Sequence, residues 1–306
     1  MKRLDPDSAE GWFSRGLTHI QDGDIRKAIA AFKKALEINP NNVEAWVNLG
    51  LAYSMLENTN EEIKSYKKAL ELEPSNAELW VNLGVAYGQK DDVKAEIDAY
   101  RKALELDPND ADTLYNLGVA VGKSEDYKEA IGYFKKSLAI NPNDSEVWNN
   151  LGRAFGMLGN TEAEVSSFEK AIEIDPQNEI AWFNLGLTSL NNNNFEKAIQ
   201  CFKETIQIDP QLSVAFFGLG FTFEKVDDLK EAIKAYTSVL DLEPEDVETL
   251  IHIAIIYQKK GNNKEALNAL ERAVSIDKDL VLILDEEENL LQNLKDIDGF
   301  KEIMGS

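Results

Sequence analysis

Five asparagines stand at equal intervals of 34 residues: Asn48, Asn82, Asn116, Asn150 and Asn184. A carboxamide carries both donors and an acceptor, so a column of them on one surface suits the backbone of an extended peptide whatever its side chains. Neighbouring residues would set selectivity. Tyr115, Asn149 and Phe183 each precede a column member, and Arg153 follows one by three residues among apolar equivalents such as Leu51, Val85 and Leu187. Net hydrogen bonds contribute about 0.5–1.5 kcal/mol each. Association also costs free energy, so five rungs alone give modest affinity, and the nine residues Asn48, Asn82, Asn116, Asn150, Asn184, Tyr115, Asn149, Arg153 and Phe183 form the candidate peptide site.

No other grouping suggests catalysis. His19 and His252 lie at opposite ends of the chain, and Cys201 is alone. No glycine-rich phosphate loop and no Cys/His ligand set is present. The acidic run Asp285-Glu286-Glu287-Glu288 lacks the spaced loop of a calcium site. No catalytic residue, metal or cofactor is therefore expected. A second recurrent feature is acidic: Glu62, Glu96 and Glu164 stand where Ala28, Ala130 and Ala198 occupy the same place in the 34-residue period. A charge there cannot be buried unpaired. The expectation is a carboxylate reaching solvent past a helix thinned at Ser54, Gly88 and Gly156; the alternative is an acidic feature that pairs with a basic ligand.

The charge balance narrows the partners. Fifty-five acidic residues against 32 basic ones give a net charge of −23. Such a surface repels nucleic-acid phosphates and anionic membranes. A protein or peptide partner, extended and neutral or basic, is expected, with no nucleic acid and no membrane. No run approaches the roughly 20 apolar residues of a membrane span. The start, "MKRLDPDS", lacks the apolar core of a signal peptide, and a single cysteine allows no disulfide framework. Cytoplasmic placement is expected.

The elements that position these residues follow from the period. All eight prolines, Pro6 to Pro244, are 34 residues apart. Eight units result, 9–42, 43–76, 77–110, 111–144, 145–178, 179–212, 213–246 and 247–280, each reading as two helices. Ser8, Asn42, Asn76, Asp110, Asp144, Asn178 and Asp246 precede the first helix as caps. Acidic residues such as Glu44 and Glu78 follow two places later, at the positive end of the helix dipole. The second helix ends before the proline, which lacks a donor and restricts its predecessor. Trp46, Leu49, Gly50 and Tyr53 share one face of a first helix; Ala130, Phe134, Ser137 and Leu138 form the matching stripe of a second. A single pair cannot bury both faces, so pairs stack on their neighbours. The five tryptophans, Trp12, Trp46, Trp80, Trp148 and Trp182, are read as core rather than as a ligand cage.

The motif W-x2-L-G-x2-Y, A-x3-F, P is met by Trp46, Leu49, Gly50, Tyr53 and Pro74, and in another unit by Ala28, Phe32 and Pro40. In this the chain resembles the tetratricopeptide-repeat family over residues 9–280. The resemblance implies an all-α, right-handed superhelical solenoid of eight 34-residue helix-turn-helix repeats. Residues 1–8 read as the remnant of a preceding repeat or an N-terminal tail. Residues 281–306, with Leu284, Leu291, Leu294 and Ile297 on one side, read as a C-terminal capping helix. In this family the stripe that holds the asparagines lines the concave surface. The column resembles the asparagine ladder in the repeat arm of O-linked N-acetylglucosamine transferases, at those five residues only. Family members that grip carboxylate tails use Lys and Arg on this surface, which is acidic here. The expected function is a non-enzymatic protein-interaction scaffold. The alternatives are a substrate-recruiting arm of a larger enzyme such as a glycosyltransferase, and a self-assembling structural protein that forms homo-oligomers.

Overall fold

A computed structural model describes residues 5–288, 291–292, 294–295 and 297–305. The described residues form seventeen α-helices and no strand. They divide into two compact units, 1–160 and 161–306. Unit 1 holds α1 (Ala9–Gln21), α2 (Ile25–Ile38), α3 (Val43–Ser54), α4 (Thr59–Leu72), α5 (Ala77–Gln89), α6 (Val93–Leu106), α7 (Ala111–Lys123), α8 (Tyr127–Ile140) and α9 (Ser145–Met157). Unit 2 holds α10 (Thr161–Ile174), α11 (Glu179–Asn191), α12 (Phe195–Ile208), α13 (Ser213–Lys225), α14 (Leu229–Leu242), α15 (Val247–Lys259), α16 (Asn263–Glu288) and α17 (Phe300–Met304). The division falls between the two helices of the fifth period. Within each unit, consecutive helices pack on one another.

Local chemistry sets the boundaries. The side chains of Ser8, Asn42, Asn76, Asp110, Asp144, Asn178 and Asp246 all accept a hydrogen bond from a free amide in the first turn. Each turn between paired helices then reverses through one left-handed residue. It is glycine at Gly23, Gly159 and Gly261, but Glu57, Asp91, Glu125, Asn193 and Asp227 adopt the same conformation with φ of 56–64°. A side chain in that region costs roughly 1–2 kcal/mol, so the turn is imposed by the packing of the two helices.

The recurrent first-helix glycine has a steric cause. A Cβ on Gly50, Gly84 or Gly118 would lie 2.6 Å from the ring of Tyr66, Tyr100 or Phe134 on the second helix of the same pair. Those rings are buried, so glycine is what lets the pair close. The tryptophans differ from expectation: they are only half-buried. In four of them the indole N–H donates to the carbonyl of the proline six residues earlier, Trp46 to Pro40, Trp80 to Pro74 and Trp148 to Pro142 at 2.9 Å, and Trp182 to Pro176 at 3.1 Å. The ring must stay near the surface to reach that loop.

The C-terminal segment also departs from a single capping helix over 281–306. The helix α16 breaks at Asp277 (φ −151°, ψ 97°) and continues to Glu288. Turns and the short α17 follow, entered through Gly299 at φ 100°. The turns before it already interrupt the helix, and the left-handed Gly299 only opens α17. Leu291, Leu294, Phe300 and Met304 nevertheless bury against Leu250, Ile251 and Leu270.

Candidate functional site

Four column members, Asn48, Asn82, Asn116 and Asn150, lie on α3, α5, α7 and α9 of unit 1, and each is half-buried. On the same helical stripe, three residues on, stand Leu51 and Val85, 44% and 40% exposed, then Val119 and Arg153. The acidic row, four residues before the asparagines, keeps Glu44, Glu78 and Asp112 exposed. None of these three carboxylates has a basic partner among the described residues.

The rungs are not equivalent. Asn48 donates from Nδ2 to the Glu44 carbonyl of its own helix at 2.8 Å. Asn150 donates to the Glu146 carbonyl at 3.0 Å and to the Tyr115 hydroxyl at 3.1 Å, while its Oδ1 faces Arg153 Nη1 at 3.4 Å. Tyr115 in turn donates to the Glu146 carboxylate. Burial, then this bond, pushes the Tyr115 hydroxyl well above its ordinary range, so it stays a donor. The amide hydrogens of Asn150 are therefore used internally. Among the described residues the Asn82 and Asn116 amides have no hydrogen-bond partner. These two are the open rungs.

The remaining sequence-derived positions separate. Asn149 is 5% exposed: one place from Asn150 on a helix turns it into the interior, away from a peptide on this face. Phe183 and Asn184 belong to α11 in unit 2, where Phe183 packs on Phe202 with ring centroids 5.9 Å apart. The column has a visible stop within unit 2. Gly218 holds the next equivalent place, and a Cβ there would lie 2.7 Å from the Phe202 ring.

Glu62 and Glu96, expected to reach solvent, are instead buried at 2% and 4% exposure. The thinning of the adjacent helix makes room for them rather than letting them out: a Cβ on Gly88 would lie 2.8 Å from Glu96 Oε1. Glu96 is paired with Lys123 Nζ at 3.2 Å. Glu62 has Ser54 as a hydrogen-bond partner, burial raises its pKa, and its Oε2 has no partner. Glu164 is half-buried and accepts from Thr188 Oγ1 at 2.8 Å.

A buried polar cluster in unit 2 escaped sequence reading. His252 Nδ1 lies 3.0 Å from Glu224 Oε2, and Lys259 Nζ lies 2.9 Å from Glu224 Oε1. The imidazole is ringed by Phe217, Phe221 and Tyr236 at 5.3–5.7 Å between centroids. Burial alone would raise the Glu224 carboxyl, but hydrogen bonds and charge from His252 and Lys259 outweigh it and bring the pKa down to about 2. An ionised carboxylate only accepts, so Nδ1 carries the proton it shares with Glu224. The Tyr236 hydroxyl also donates to Glu224 Oε2 at 3.4 Å. Cys201 is buried elsewhere in unit 2, and burial pushes its thiol up to about 11, so it is inert. Among the described residues no three His, Cys, Asp or Glu side chains gather as a metal site, and no helix is long and apolar enough to cross a membrane.

Comparison with known proteins places these helix pairs. Models of the tetratricopeptide repeat match residues 9–42, 133–165, 167–200 and 225–282, and the model of the cytochrome c-type biogenesis protein H TPR domain matches 36–140. Among solved structures, MamA is 31% identical over 56% of this chain and 94% of its own, with a TM-score of 0.54. YrrB, described as a TPR protein with an unusual peptide-binding site, is 30% identical over 60% of this chain and 95% of its own, with a TM-score of 0.52. The C-terminal part of a TPR repeat-containing protein from Cytophaga hutchinsonii shares the fold at 17% identity and a TM-score of 0.65, over 78% of this chain and 97% of that one. No curated protein matches the chain.

Proposed function

The chain belongs to the tetratricopeptide-repeat family, and we propose that it is a non-enzymatic cytoplasmic scaffold that holds an extended polypeptide on the first-helix face of unit 1. The observation that carries this reading is the register of the face. Asn82 and Asn116 offer unsatisfied amides in consecutive pairs, beside the exposed Leu51 and Val85. A half-buried amide without a partner is poised to exchange water for a peptide group. The apolar row takes side chains from one edge of the peptide. The acidic row, Glu44, Glu78 and Asp112, favours neutral or basic residues and repels acidic ones. The likeness to YrrB, whose structure is described by its peptide-binding site, supports the same use of the fold. Selectivity comes from these rows, since backbone hydrogen bonds are blind to side chains.

The test is binding of the wild type and the Asn82→Ala/Asn116→Ala variant to an array of unfolded peptides, with circular dichroism to check that both are folded. Two net hydrogen bonds at about 0.5–1.5 kcal/mol each predict a loss of roughly 5- to 150-fold in affinity. Equal binding by two equally helical proteins overturns the proposal.

A further inference from the structure

We propose that the second-helix face of unit 1 carries a separate docking site for an acidic peptide segment bearing a large apolar side chain, seated in the groove between α2 and α4. This groove has a volume of about 620 Å³. Its floor is apolar: Leu36, Leu49 and Tyr53 are buried beneath it, and Trp46 presents a half-buried ring whose N–H is already used by the Pro40 carbonyl. The indole N–H is satisfied and the remaining floor is largely apolar, with the Tyr53 hydroxyl its one polar group without a hydrogen-bond partner among the described residues, so an aromatic or long aliphatic side chain fits it at little desolvation cost.

The rim decides what flanks that side chain. Three carboxylates border the groove, Glu37, Glu61 and Glu71. Each is held by a lysine on its own helix: Lys34 at 2.8 Å, Lys64, and Lys68 at 2.6 Å. Two further ammonium groups, Lys33 and Lys67, line the same groove and have no carboxylate partner among the described residues. They sit instead above aromatic rings, Lys33 Nζ 5.5 Å from the centre of Tyr53 and Lys67 Nζ 5.4 Å from that of Tyr87. Tyr53 is buried and Tyr87 half-buried, but a cation over a ring gains only about 0.5–2 kcal/mol and no counter-charge, so each ammonium can still pair with a carboxylate. The groove therefore combines an apolar floor with two uncommitted positive charges.

Its neighbour shows that this is local. One period on, Trp80, Leu83 and Tyr87 floor a similar groove of about 730 Å³, but there Asp98 stands where Lys64 stood, and Arg101, the counterpart of Lys67, is paired with Glu129 at 3.0 Å. The wider pattern agrees. The doublets Lys33-Lys34, Lys67-Lys68, Arg101-Lys102 and Lys135-Lys136 are basic throughout the first four periods. The equivalents in the last four are Glu169-Lys170, Lys203-Glu204, Thr237-Ser238 and Glu271-Arg272. In a chain of net charge −23, positive charge is concentrated on the helices that form this groove. At physiological salt the screening length is about 8 Å, and the three rim carboxylates are each paired with a lysine, so an incoming carboxylate is drawn chiefly by Lys33 and Lys67.

The probe is a short fluorescein-labelled synthetic peptide with a Glu-Glu-Phe-Glu-Glu centre, titrated with the full chain and read by fluorescence anisotropy. Wild type is expected to bind it, more weakly as salt rises, and to bind neither the Phe→Ala nor the Lys-for-Glu peptide at this site. The surface double variant Lys33→Glu/Lys67→Glu is expected to weaken binding roughly tenfold or more, and Lys33→Gln/Lys67→Gln by less. The Asn82→Ala/Asn116→Ala variant is expected to bind as wild type does. Absence of wild-type binding, equal affinity after charge reversal in a protein of unchanged helicity, or loss of binding in the asparagine variant each overturns the proposal, the last by moving the peptide to the first-helix face.

Discussion

Replacing Glu62 by glutamine should stabilise the protein near neutral pH and leave it unchanged in acid. Glu62 is 2% exposed and has one partner, Ser54, while Oε2 has none. Its counterpart Glu96 has the same burial but meets Lys123 at 3.2 Å. The residue that would play that part for Glu62 is Gln89, one period before Lys123. Burial raises the Glu62 pKa above the ordinary 4.5. Below 4.5 the carboxyl is protonated in both the folded and the unfolded chain and costs nothing. As pH rises from 4.5 through the folded value, the unfolded chain loses its proton first, and stability falls across that window. At neutral pH the full penalty stands. A buried group left unsatisfied costs about 1–3 kcal/mol, and glutamine keeps the shape and the Ser54 bond without the charge. Glu62→Gln should therefore gain about 1–2 kcal/mol near pH 8 and nothing near pH 4.

Urea unfolding followed by far-ultraviolet circular dichroism at both pH values is the assay. Helix-pair stacks lose pairs piecemeal, so amide exchange in α3 and α4 should accompany it and locate the gain. Gln89→Lys, which supplies the missing counter-ion, should stabilise in the same pH range. If Glu62→Gln destabilises near pH 8, or changes stability equally at both pH values, the unpaired charge is not the source of the penalty.

Two further predictions concern stability. Gly84→Ala should destabilise unit 1 by about 1–3 kcal/mol, because its Cβ would lie 2.6 Å from the buried Tyr100 ring; thermal unfolding checks this, and a neutral result would mean the pair can open without cost. Glu224, with its pKa brought down to about 2, contributes stability that is complete above 4.5 and lost as pH falls from 4.5 towards 2. At about 1.4 kcal/mol per pH unit the loss is about 3 kcal/mol, so Glu224→Gln should flatten the acid limb of amide exchange in α13 and α15, and an unchanged limb would refute it.

Much of the fold was legible because it depends on short-range chemistry that repeats. The seven caps, the proline-terminated helices and the glycine facing an aromatic ring each follow from residues within one period. The candidate site was legible as a column but not as a set of functioning rungs. Whether an asparagine is open depends on what the preceding pair sends across. Asn150 is tied up by Tyr115, 35 residues earlier, while Asn116 receives no such side chain because the place equivalent to Tyr115 one period earlier is Val81. Asn149 looked like a neighbour of the column and is buried instead. The tryptophans looked like core and lie at its edge, because the proline loop claims their N–H.

The departures from the period carry the information that the period itself conceals. The ion pairs between neighbouring helix pairs recur at a few separations. Glu96 reaches Lys123 at 27 residues, Glu224 reaches His252 at 28 and Lys259 at 35, and Tyr115 reaches Asn150 at 35. A residue that breaks the pattern is therefore best read together with those 27, 28 and 35 positions away. Glu224 stands where other pairs carry Ser54, Gly88 or Gly122, and the next pair answers with His252 in an asparagine place and with Lys259: two departures in register, which together identify a buried charge cluster. The same separation applied to Glu62 lands on Gln89, which cannot neutralise it. The orphaned carboxylate is thus written in the spacing, and a lysine at that place is what the structure of Glu96 with Lys123 says would relieve it.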